Sequence, residues 1–315
     1  MTLNLVITKS WYETPEIRCL QLETADGSAL PSFDAGAHID VRLPGKLVRQ
    51  YSLWNAPGDC SRYLIGVKLE KESRGGSVAM HGLKEGEKLE VEAPRNNFPL
   101  AQPFGRSVLL AGGVGITPLL SMATHLKSLG QPYELHLFAR STEMAPFRNV
   151  LAQDQAANIH LGLIPPDLDR AIAELLATKS DNTHVYICGP APFMELAKRI
   201  ASEQGLSDGN IHLEYFAAPA DAVDVSGGTF EVVLERTGKT LLVREDQTIL
   251  DAMNEAGCEI LTSCEQGVCG TCVTTVLEGE PDHRDLYFNA AERASGKVIT
   301  PCVSRCKGKK LVLDL

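Results

Sequence analysis

Four cysteines constrain this chain more than any other feature of its sequence. Cys264, Cys269 and Cys272 share one loop with the spacing Cys-x4-Cys-x2-Cys, and Cys302 follows after 29 intervening residues. Thiolates are soft ligands that favour iron–sulfur clusters and zinc. Three thiolates in one loop with a distant fourth have the plant-type spacing of a [2Fe–2S] cluster. Zinc remains the alternative, because its sites also use Cys-x2-Cys pairs, although they usually combine two such pairs.

Glycines inside the loop support the cluster interpretation. Gly267 and Gly270 lie between the cysteines, where a backbone that wraps a cluster needs positive φ angles and close approach of its N–H groups to sulfur. The five remaining cysteines are scattered, as free thiols are in a reducing cytosol. They are Cys19, Cys60, Cys188, Cys258 and Cys306. We interpret Cys306 as structural, with replacement of Cys302 as a ligand as its alternative role.

Length and charge bound the class of protein. A chain of 315 residues predicts two or three domains. Its formal net charge of −10 argues against a nucleic-acid partner, which would need a basic surface. The sequence has no apolar run of the roughly 18 residues that span a membrane, and residues 1–5 show no secretory signal. We therefore expect a cytoplasmic protein with neither a membrane nor a nucleic-acid partner.

The first hundred residues read as short strands with little helix between them. Turns such as Asp26-Gly27 and Pro57-Gly58 separate the strands, a pattern typical of a small antiparallel β-barrel. The predicted strands are Leu3–Thr8, Ile17–Glu23, His38–Leu43, Val48–Trp54, Arg62–Leu69 and Lys88–Ala93. A short helix is predicted at Val78–Leu83.

Two motifs in this barrel favour a flavin. The strand Arg49-Gln50-Tyr51-Ser52 places Arg49 and Tyr51 on one face. A flavin needs an aromatic surface for its ring and charged donors for its phosphate. The second motif, Ser73-Arg74-Gly75-Gly76-Ser77, opens the predicted helix with small residues whose N–H groups can face an anion. Taken singly, either motif could also be an ordinary surface strand or turn that binds no flavin.

A strand followed by a glycine-rich turn begins the middle of the chain. Residues 99–103 read as a linker, and Ser107–Ala111 as a strand that leads into Gly112-Gly113-Val114-Gly115-Ile116-Thr117-Pro118. We predict Thr117 as the N-cap and Pro118 as the first residue of a helix that runs to Leu129. Glycines in such a turn let a pyrophosphate approach free N–H groups. The alternative is a tight strand-to-helix turn that binds nothing.

Strands and helices then alternate, which predicts a parallel, doubly wound sheet. The further predicted elements are Glu134–Phe138, Phe147–Gln155, Ile159–Leu163, Ala171–Thr178, His184–Ile187 and Met194–Gly205, and the domain is expected to end with Ile211–Phe216. Cys188-Gly189-Pro190 follows one of these strands directly. Because such sheets bind ligands at the carboxyl ends of their strands, this turn is a second candidate for dinucleotide contact.

The last part of the chain has a different pattern. Residues 217–228 have the composition of a flexible linker. A hairpin is predicted around Thr237-Gly238, and a helix over Thr248–Ala256 that ends at Gly257. The predicted strands of this region are Thr229–Glu235, Thr240–Arg244, Val273–Leu277 and Leu311–Leu315. The combination indicates a small α+β domain around the cysteine loop.

These motifs, in this order, resemble the phthalate dioxygenase reductase family, the one-chain electron suppliers of Rieske oxygenases and O-demethylases. The resemblance runs from about residue 5 to residue 315. It implies a multidomain chain: an FMN-binding antiparallel β-barrel over residues 1–101, an NADH-binding α/β domain over 102–220, and a plant-type ferredoxin domain of β-grasp type over 229–315. It also implies a separate Rieske-type terminal oxygenase as partner, in the systems that degrade aromatic compounds.

The resemblance also implies roles for single residues. Tyr51 would border the flavin ring, and Phe216 would lie near it, with a plain core position as the alternative for Phe216. The phosphate of FMN would be held by Arg49, Ser52, Gly75, Gly76 and Ser77, and the ring would be lined by Gly66, Val67 and Lys68. The dinucleotide would be flanked by Gly113, Gly115, Thr117, Pro118, Cys188, Gly189 and Pro190. FMN is expected because no added segment for an adenine half is visible. Arg140 and Ser141 could hold the 2′-phosphate of NADPH, but the family mostly uses NADH.

The order of the three modules predicts an electron-transfer reductase. NADH delivers two electrons as a hydride and a [2Fe–2S] cluster accepts one, so a flavin that can do both belongs between them. We therefore expect no catalytic triad, and positional roles for Cys188 and Phe216. Two alternatives stay open: a reductase that serves another acceptor, such as a P450 or a soluble ferredoxin, and a redox-sensing or zinc-stabilised binding module. A monomer is expected, because an electron shuttle needs an open surface.

Overall fold

The computed structural model describes residues 1–178, 180, 182–219 and 224–315, which form two compact units. The first unit is Met1–Glu214 and the second is Tyr215–Leu315. The region assigned above to the flavin and residues 102–214 of the region assigned to the dinucleotide fall within the first unit, whereas residues 215–219 belong to the second. Residues 220–223, which include the end of the predicted middle domain and part of the predicted linker, lie outside the described residues.

An antiparallel barrel forms the first part of the first unit. Its strands are β1 (Thr2–Thr14), β2 (Ile17–Thr24), β3 (His38–Leu43), β4 (Leu47–Ser52), β5 (Tyr63–Lys68) and β6 (Lys88–Glu92), and α1 spans Gly76–Gly82. The strand order is β4-β3-β6-β1-β2-β5. The two end strands meet through a bridge between Leu53 and Ile65 and through a 3.0 Å hydrogen bond from the Trp54 N–H to the Leu64 carbonyl. This closure confirms the predicted barrel.

A parallel sheet forms the rest of this unit. Its elements are β7 (Arg106–Gly112), α2 (Ile116–Ser128), β8 (Tyr133–Ala139), α3 (Arg148–Leu151), β9 (Ala157–Leu161), α4 (Pro165–Ala177), β10 (Thr183–Cys188), α5 (Ala191–Glu203) and β11 (Ile211–Glu214). The order is β11-β10-β7-β8-β9, and all neighbours are parallel. Helices cover both faces of the sheet. Leu137 of β8 packs in the core with α2, whereas the next residue of β8, Phe138, contacts Phe193 of α5. The predicted doubly wound sheet is confirmed, and the order reverses between β7 and β10.

Two local predictions in this sheet are wrong, one because of a local 3₁₀ turn and one because of a contact with the barrel. Thr117 does not cap α2, because the chain first makes a 3₁₀ turn over residues 113–115 and the Thr117 hydroxyl donates to the Val114 carbonyl at 3.0 Å. The helix predicted over 147–155 is the single turn α3. Phe147 before it has a left-handed φ of 58°, and its N–H donates to a Glu13 carboxylate oxygen of the barrel at 2.9 Å. The last strand of the sheet, β11, ends at Glu214.

The second unit has the predicted α+β arrangement. Its elements are β12 (Phe230–Leu234), β13 (Lys239–Val243), α6 (Ile249–Glu255), β14 (Thr274–Glu278), β15 (Pro281–Asp282), α7 (Ala290–Ser295), β16 (Val298–Ile299), β17 (Arg305–Cys306) and β18 (Lys310–Leu313). The main sheet has the order β13-β12-β18-β14-β16, and α6 packs on it through Ile249 and Met253. The hairpin turns at Gly238, where φ is 66°. Thr248 and Asp251 form a capping box that starts α6. The sequence analysis missed α7.

Residues 224–228, which have the composition of a flexible linker, are hydrogen-bonded to the second unit. Arg305 is almost completely buried and donates to the carbonyls of Val225 at 2.7 Å and Gly228 at 2.9 Å. Arg284 donates to the carbonyls of Asp224 at 2.7 Å and Ser226 at 2.6 Å. The composition of this stretch is that of a linker, but two distant arginines supply the hydrogen bonds that fix it on the second unit.

Candidate functional site

The four predicted ligand cysteines are buried together in the second unit, and their thiols fall into two pairs. Cys272 Sγ lies 3.4 Å from Cys302 Sγ, and the thiols of Cys264 and Cys269 are hydrogen-bonded to each other. Each of the four residues is at most 8% exposed. Two thiolates bound to one tetrahedral metal with bonds of about 2.3 Å stand at a similar separation. Two such pairs fit a cluster with two iron atoms.

Backbone N–H groups of the loop point at the sulfur atoms. The Gln266 N–H donates to Cys264 Sγ at 3.3 Å, and the Gly267 backbone donates to Cys302. Such donors stabilise thiolates and a negatively charged cluster. Gly267 has a φ of 71°, as predicted, and a Cβ there would lie 2.6 Å from Val303 Cγ2. The loop therefore requires glycine for both its dihedral angle and its packing.

The charge of the first pair is set by the contact between its thiols. The hydrogen bond from Cys264 lowers the pKa of the Cys269 thiol to about 6, against the effect of burial. The same bond and burial raise the pKa of Cys264. Because the thiolate is the form that binds metal, this contact favours metal binding at Cys269.

In the barrel, the structure brings Arg49 and the glycine turn together. A Cβ on Gly76 would lie 2.6 Å from Arg49 Nε, so the guanidinium packs directly on this glycine. Gly75 precedes α1 with a φ of 95°, and Tyr51 shares the face of β4 with Arg49. Burial raises the pKa of Tyr51, so its phenol is neutral. A positive donor, a small-residue turn and an aromatic side chain thus meet, as a flavin phosphate and ring require.

Other predicted flavin residues do not join this group. Ser52 lies on the opposite face of β4, and its hydroxyl donates to a Glu214 carboxylate oxygen at 3.4 Å. Val67 points into the barrel core, and Lys68 pairs with Glu70 at 2.9 Å. The Ser77 hydroxyl accepts from the Glu70 N–H at 3.1 Å and so orders the loop before α1.

Gly66 of β5 faces the dinucleotide half of the first unit. A Cβ on Gly66 would lie 3.0 Å from Thr117 Cγ2 and 3.7 Å from the ring of Phe147. This position therefore joins the barrel to the glycine turn after β7. A larger side chain here would push the two halves of the unit apart.

The two turns predicted to flank the dinucleotide meet at the point where the strand order reverses. A Cβ on Gly115 would overlap the Cys188 carbonyl oxygen and lie 2.6 Å from the Gly189 nitrogen. Gly113 is open by contrast: with its φ of 56°, a Cβ there would have no described atom within 4 Å. Pro118 is buried behind this turn and Pro190 is exposed at its edge. The switch point of a doubly wound sheet is where ligands of this class bind.

Glu214 is a candidate site residue that the sequence analysis missed. It ends β11, pairs in register with Cys188 on β10, and accepts from Ser52. Although the residue is partly exposed, burial of its carboxyl raises the pKa of Glu214 to about 8, against the effect of the Ser52 hydrogen bond. Burial is the main cause that raises the pKa of the Cys188 thiol, and the charge of Glu214 is the second. This thiol is therefore a poor nucleophile. The sequence signal that could have identified Glu214 is its position as an acidic residue at the carboxyl end of the last strand, where sheets of this kind bind ligands.

Phe216 belongs to the second unit and is 44% exposed. This exposure excludes the plain core position that was the alternative for this residue. Its placement near the flavin stays a prediction.

We expect Glu214→Gln to reduce the pH dependence of stability. Between pH 4.5, the ordinary pKa of Glu, and about 8, the folded protein keeps a proton that the unfolded chain releases, so the free energy of unfolding falls as pH rises. Between about pH 5 and pH 8.5, the free energy of unfolding of the variant should rise relative to that of wild type by roughly 1–2 kcal/mol. This value is reduced for the partial exposure of Glu214. Thermal unfolding at both pH values measures this gain. The exposed Glu174→Gln serves as control, and an equal pH dependence in wild type and Glu214→Gln would contradict the assignment.

Among the helices that the structure describes, none is both long and apolar enough to cross a membrane.

Comparison with known proteins extends over the whole chain. Residues 232–307 match the family described as the 2Fe-2S iron-sulfur cluster binding domain. The chain is 46% identical over 317 residues to vanillate O-demethylase oxidoreductase of Pseudomonas sp. (strain HR199 / DSM 7063), covering 99% of this chain and 100% of that protein. It is similar to the structure of phthalate dioxygenase reductase, with 33% identity, a TM-score of 0.73, and coverage of 100% of this chain and 98% of that chain.

A second solved structure shares the fold as part of a longer protein. This is an intact type IV self-sufficient cytochrome P450 monooxygenase, with 35% identity and a TM-score of 0.87. The similarity covers 100% of this chain and 41% of that chain. With the four thiols in two pairs and relatives matched from end to end, the chain belongs to the family of vanillate O-demethylase oxidoreductases and phthalate dioxygenase reductase, the oxidoreductases that carry a 2Fe–2S domain.

Proposed function

We propose that this protein takes hydride from NADH onto FMN and passes single electrons through a [2Fe–2S] cluster to a separate Rieske-type oxygenase or demethylase. The observation that carries the proposal is the pairing of four buried thiols in the unit that follows a barrel and a doubly wound sheet. A flavin, when bound, supplies the chemistry that links a two-electron donor to a one-electron acceptor. The residues of the chain bind and orient these groups.

Each group has a set of residues to hold it. Arg49 beside Gly76 supplies the positive donor for the FMN phosphate, and Tyr51 on the same face supplies an aromatic wall. Gly113, the open position of the turn after β7, lets a pyrophosphate approach the backbone. Glu214 and Ser52 form a polar pair where β11 ends, beside buried Cys188, and orient the nicotinamide without attacking it. The four cysteines hold the cluster.

FMN and NADH are the proposed forms of the two nucleotides. Neither the barrel nor the sheet carries an inserted element for an adenine half of the flavin among the described elements. Arg140 and Ser141 are exposed after β8, where they leave a 2′-hydroxyl or a 2′-phosphate equally accessible. Steady-state rates with NADH and NADPH decide between them, and we expect NADH to be preferred.

The full-length likeness to a vanillate O-demethylase oxidoreductase supports a Rieske-type partner on a separate chain. A P450 is the second candidate acceptor, because the self-sufficient P450 monooxygenase contains a region with a TM-score of 0.87 to this chain. A soluble ferredoxin is a third. Reconstitution with a Rieske oxygenase, a P450 and a ferredoxin separates them by substrate-dependent NADH oxidation. Efficient coupling to the P450 alone would overturn the Rieske assignment.

A cytoplasmic monomer is the state that we propose for this reductase. All nine cysteines, which lie in the described parts of the chain, are free thiols. Free thiols are typical of a reducing compartment. Light scattering of the purified protein tests the monomer, and a stable dimer would contradict it.

The decisive test is a visible spectrum recorded before and after anaerobic addition of NADH, with the released flavin identified by chromatography. We expect flavin bands and a broad cluster envelope, both bleached by NADH, and FMN as the released flavin. A protein that holds both groups but keeps its cluster oxidised with NADH would contradict the proposal. Zinc in place of iron would favour the binding-module alternative.

Gly115→Ala is expected to weaken NADH binding. Its Cβ would overlap the Cys188 carbonyl oxygen, and backbone atoms of this kind cannot move aside. The two turns must therefore separate, at a cost of about 1–3 kcal/mol that corresponds to roughly 5–150-fold in affinity. NADH titrations of flavin reduction measure the effect. The control is Gly209→Ala, where the added Cβ would meet no described atom within 4 Å; equal NADH affinity in both variants would contradict the role of the Gly115 contact.

A further inference from the structure

Gln266 of the cysteine loop makes two contacts in opposite directions. Its backbone N–H donates to Cys264 Sγ at 3.3 Å, so it touches a predicted cluster ligand. Its side-chain Oε1 accepts from the backbone N–H of Ala218 at 3.2 Å. Ala218 precedes the loop by 48 residues and lies in the segment by which the chain enters the second unit. One side chain thus joins this entering segment to the loop that holds the cluster.

The backbone on both sides of Gln266 is fixed. Glu265 has a left-handed φ of 54°, and Gly267 has a φ of 71°. The Gly267 carbonyl accepts from the Leu286 N–H at 2.9 Å, and Gly267 itself packs against Val303. Because its neighbours are held in this way, the backbone position from which the Gln266 side chain reaches Ala218 is fixed.

The covalent chain makes this contact significant for electron transfer. Ala218 follows Glu214 by four residues, and four extended residues reach at most about 14 Å. Glu214 ends β11 and contacts Ser52, beside the proposed nicotinamide position. The hydrogen bond to Gln266 therefore attaches the cluster loop to a point of the chain only four residues after Glu214.

The later part of the connecting segment is also held on the second unit. Arg284 and Arg305 bind the carbonyls of residues 224–228, as described above. Described residues on both sides of 220–223 are thus hydrogen-bonded to the unit that carries the cysteines. The Gln266 contact is the one that lies at the cluster loop itself.

We propose that Gln266 is a positioning residue for electron transfer from the flavin to the cluster, because its amide oxygen holds Ala218 on the cysteine loop. Electron transfer slows steeply as donor and acceptor move apart, so a loop released from Ala218 receives electrons more slowly. The role in electron transfer rests on the proposed function, whereas the Ala218 contact itself does not.

The test compares Gln266→Leu, which removes the acceptor at similar size, with Gln266→Glu, which keeps an oxygen for the Ala218 N–H. In anaerobic stopped-flow mixing with NADH, flavin reduction should proceed within about twofold of wild type in both variants. Cluster reduction should slow by at least about tenfold in Gln266→Leu and recover to within about threefold in Gln266→Glu. Equal iron content and the midpoint potential of the cluster are measured in parallel, so that a changed driving force is recognised.

Hydrogen exchange of the Ala218 amide provides a readout that needs no electron transfer. We expect protection in wild type and in Gln266→Glu, and exchange at least about tenfold faster in Gln266→Leu. Wild-type rates of cluster reduction in Gln266→Leu, or an Ala218 amide that exchanges equally in all three proteins, would overturn the positioning role. Failure of NADH to reduce the wild-type cluster would overturn the proposed function instead, and the exchange data would still report on the contact.

Discussion

Cys302→Ser is expected to abolish delivery of single electrons while NADH still reduces the flavin. Cys302 supplies the fourth thiol, 3.4 Å from Cys272, and a hydroxyl is a much poorer ligand for cluster iron than a thiolate. Reduction of cytochrome c, a one-electron acceptor, should fall at least about 100-fold, because the cluster is lost or depleted. Reduction of ferricyanide, which the flavin can serve directly, should stay within about twofold of wild type.

Cys306→Ser is the matched control for this experiment. Cys306 lies four residues beyond Cys302, but its Sγ accepts from the Gly308 N–H at 3.2 Å and it packs beside the core of the second unit. Iron content and both acceptor activities should remain at wild-type values. A normal cluster in Cys302→Ser together with loss of iron in Cys306→Ser would exchange the two ligand assignments.

Arg305→Met is expected to produce the largest loss of stability in the second unit. The guanidinium is buried, lies over the ring of Phe230 at 5.1 Å, and donates to four backbone carbonyls. Methionine replaces the apolar stem but leaves these carbonyls without their donor. Each buried carbonyl that loses its partner costs about 1–3 kcal/mol, so we expect a loss of at least about 3 kcal/mol.

Thermal unfolding followed by the visible circular dichroism of the cluster reports on this unit alone. Arg236→Met is the control, because Arg236 is an exposed arginine of the same unit that pairs with Asp314 at 2.7 Å. An exposed pair of this kind contributes roughly 0–1 kcal/mol. Similar melting temperatures for the two variants would show that the hydrogen bonds from Arg305 to residues 224–228 do not stabilise the second unit. Faster proteolysis within this segment is expected only in Arg305→Met.

The elements that could be predicted from sequence are those with a local signature. Alternating apolar residues and turn glycines indicated the barrel, and the alternation of strands and helices indicated the parallel sheet. The hairpin at Gly238 and the start of α6 at Thr248 were equally local, since each depends on residues within one turn. The cysteine spacing indicated the cluster loop for the same reason, because three ligands and both glycines lie within nine residues.

Local preference failed where another contact, local or distant, outweighed it. Thr117 is a good N-cap by residue type, but its hydroxyl donates to the Val114 carbonyl inside a 3₁₀ turn. The helix predicted from Phe147 shortened to one turn, because a barrel carboxylate, Glu13, binds the Phe147 N–H. Residues 224–228 have a linker composition, yet arginines 58 to 80 residues later hold their carbonyls.

Residue types and their spacing thus determined the three kinds of fold and the candidate cluster ligands, because a short stretch of chain contains the information for a strand period, a turn or a ligand loop. Tertiary structure alone decided which side chains meet. Ser52 and Glu214 are 162 residues apart, and Gln266 and Ala218 are 48 apart. A single hydrogen bond between such residues leaves no periodic or compositional trace, since it depends on packing that brings a donor and an acceptor from distant parts of the chain within about 3.5 Å.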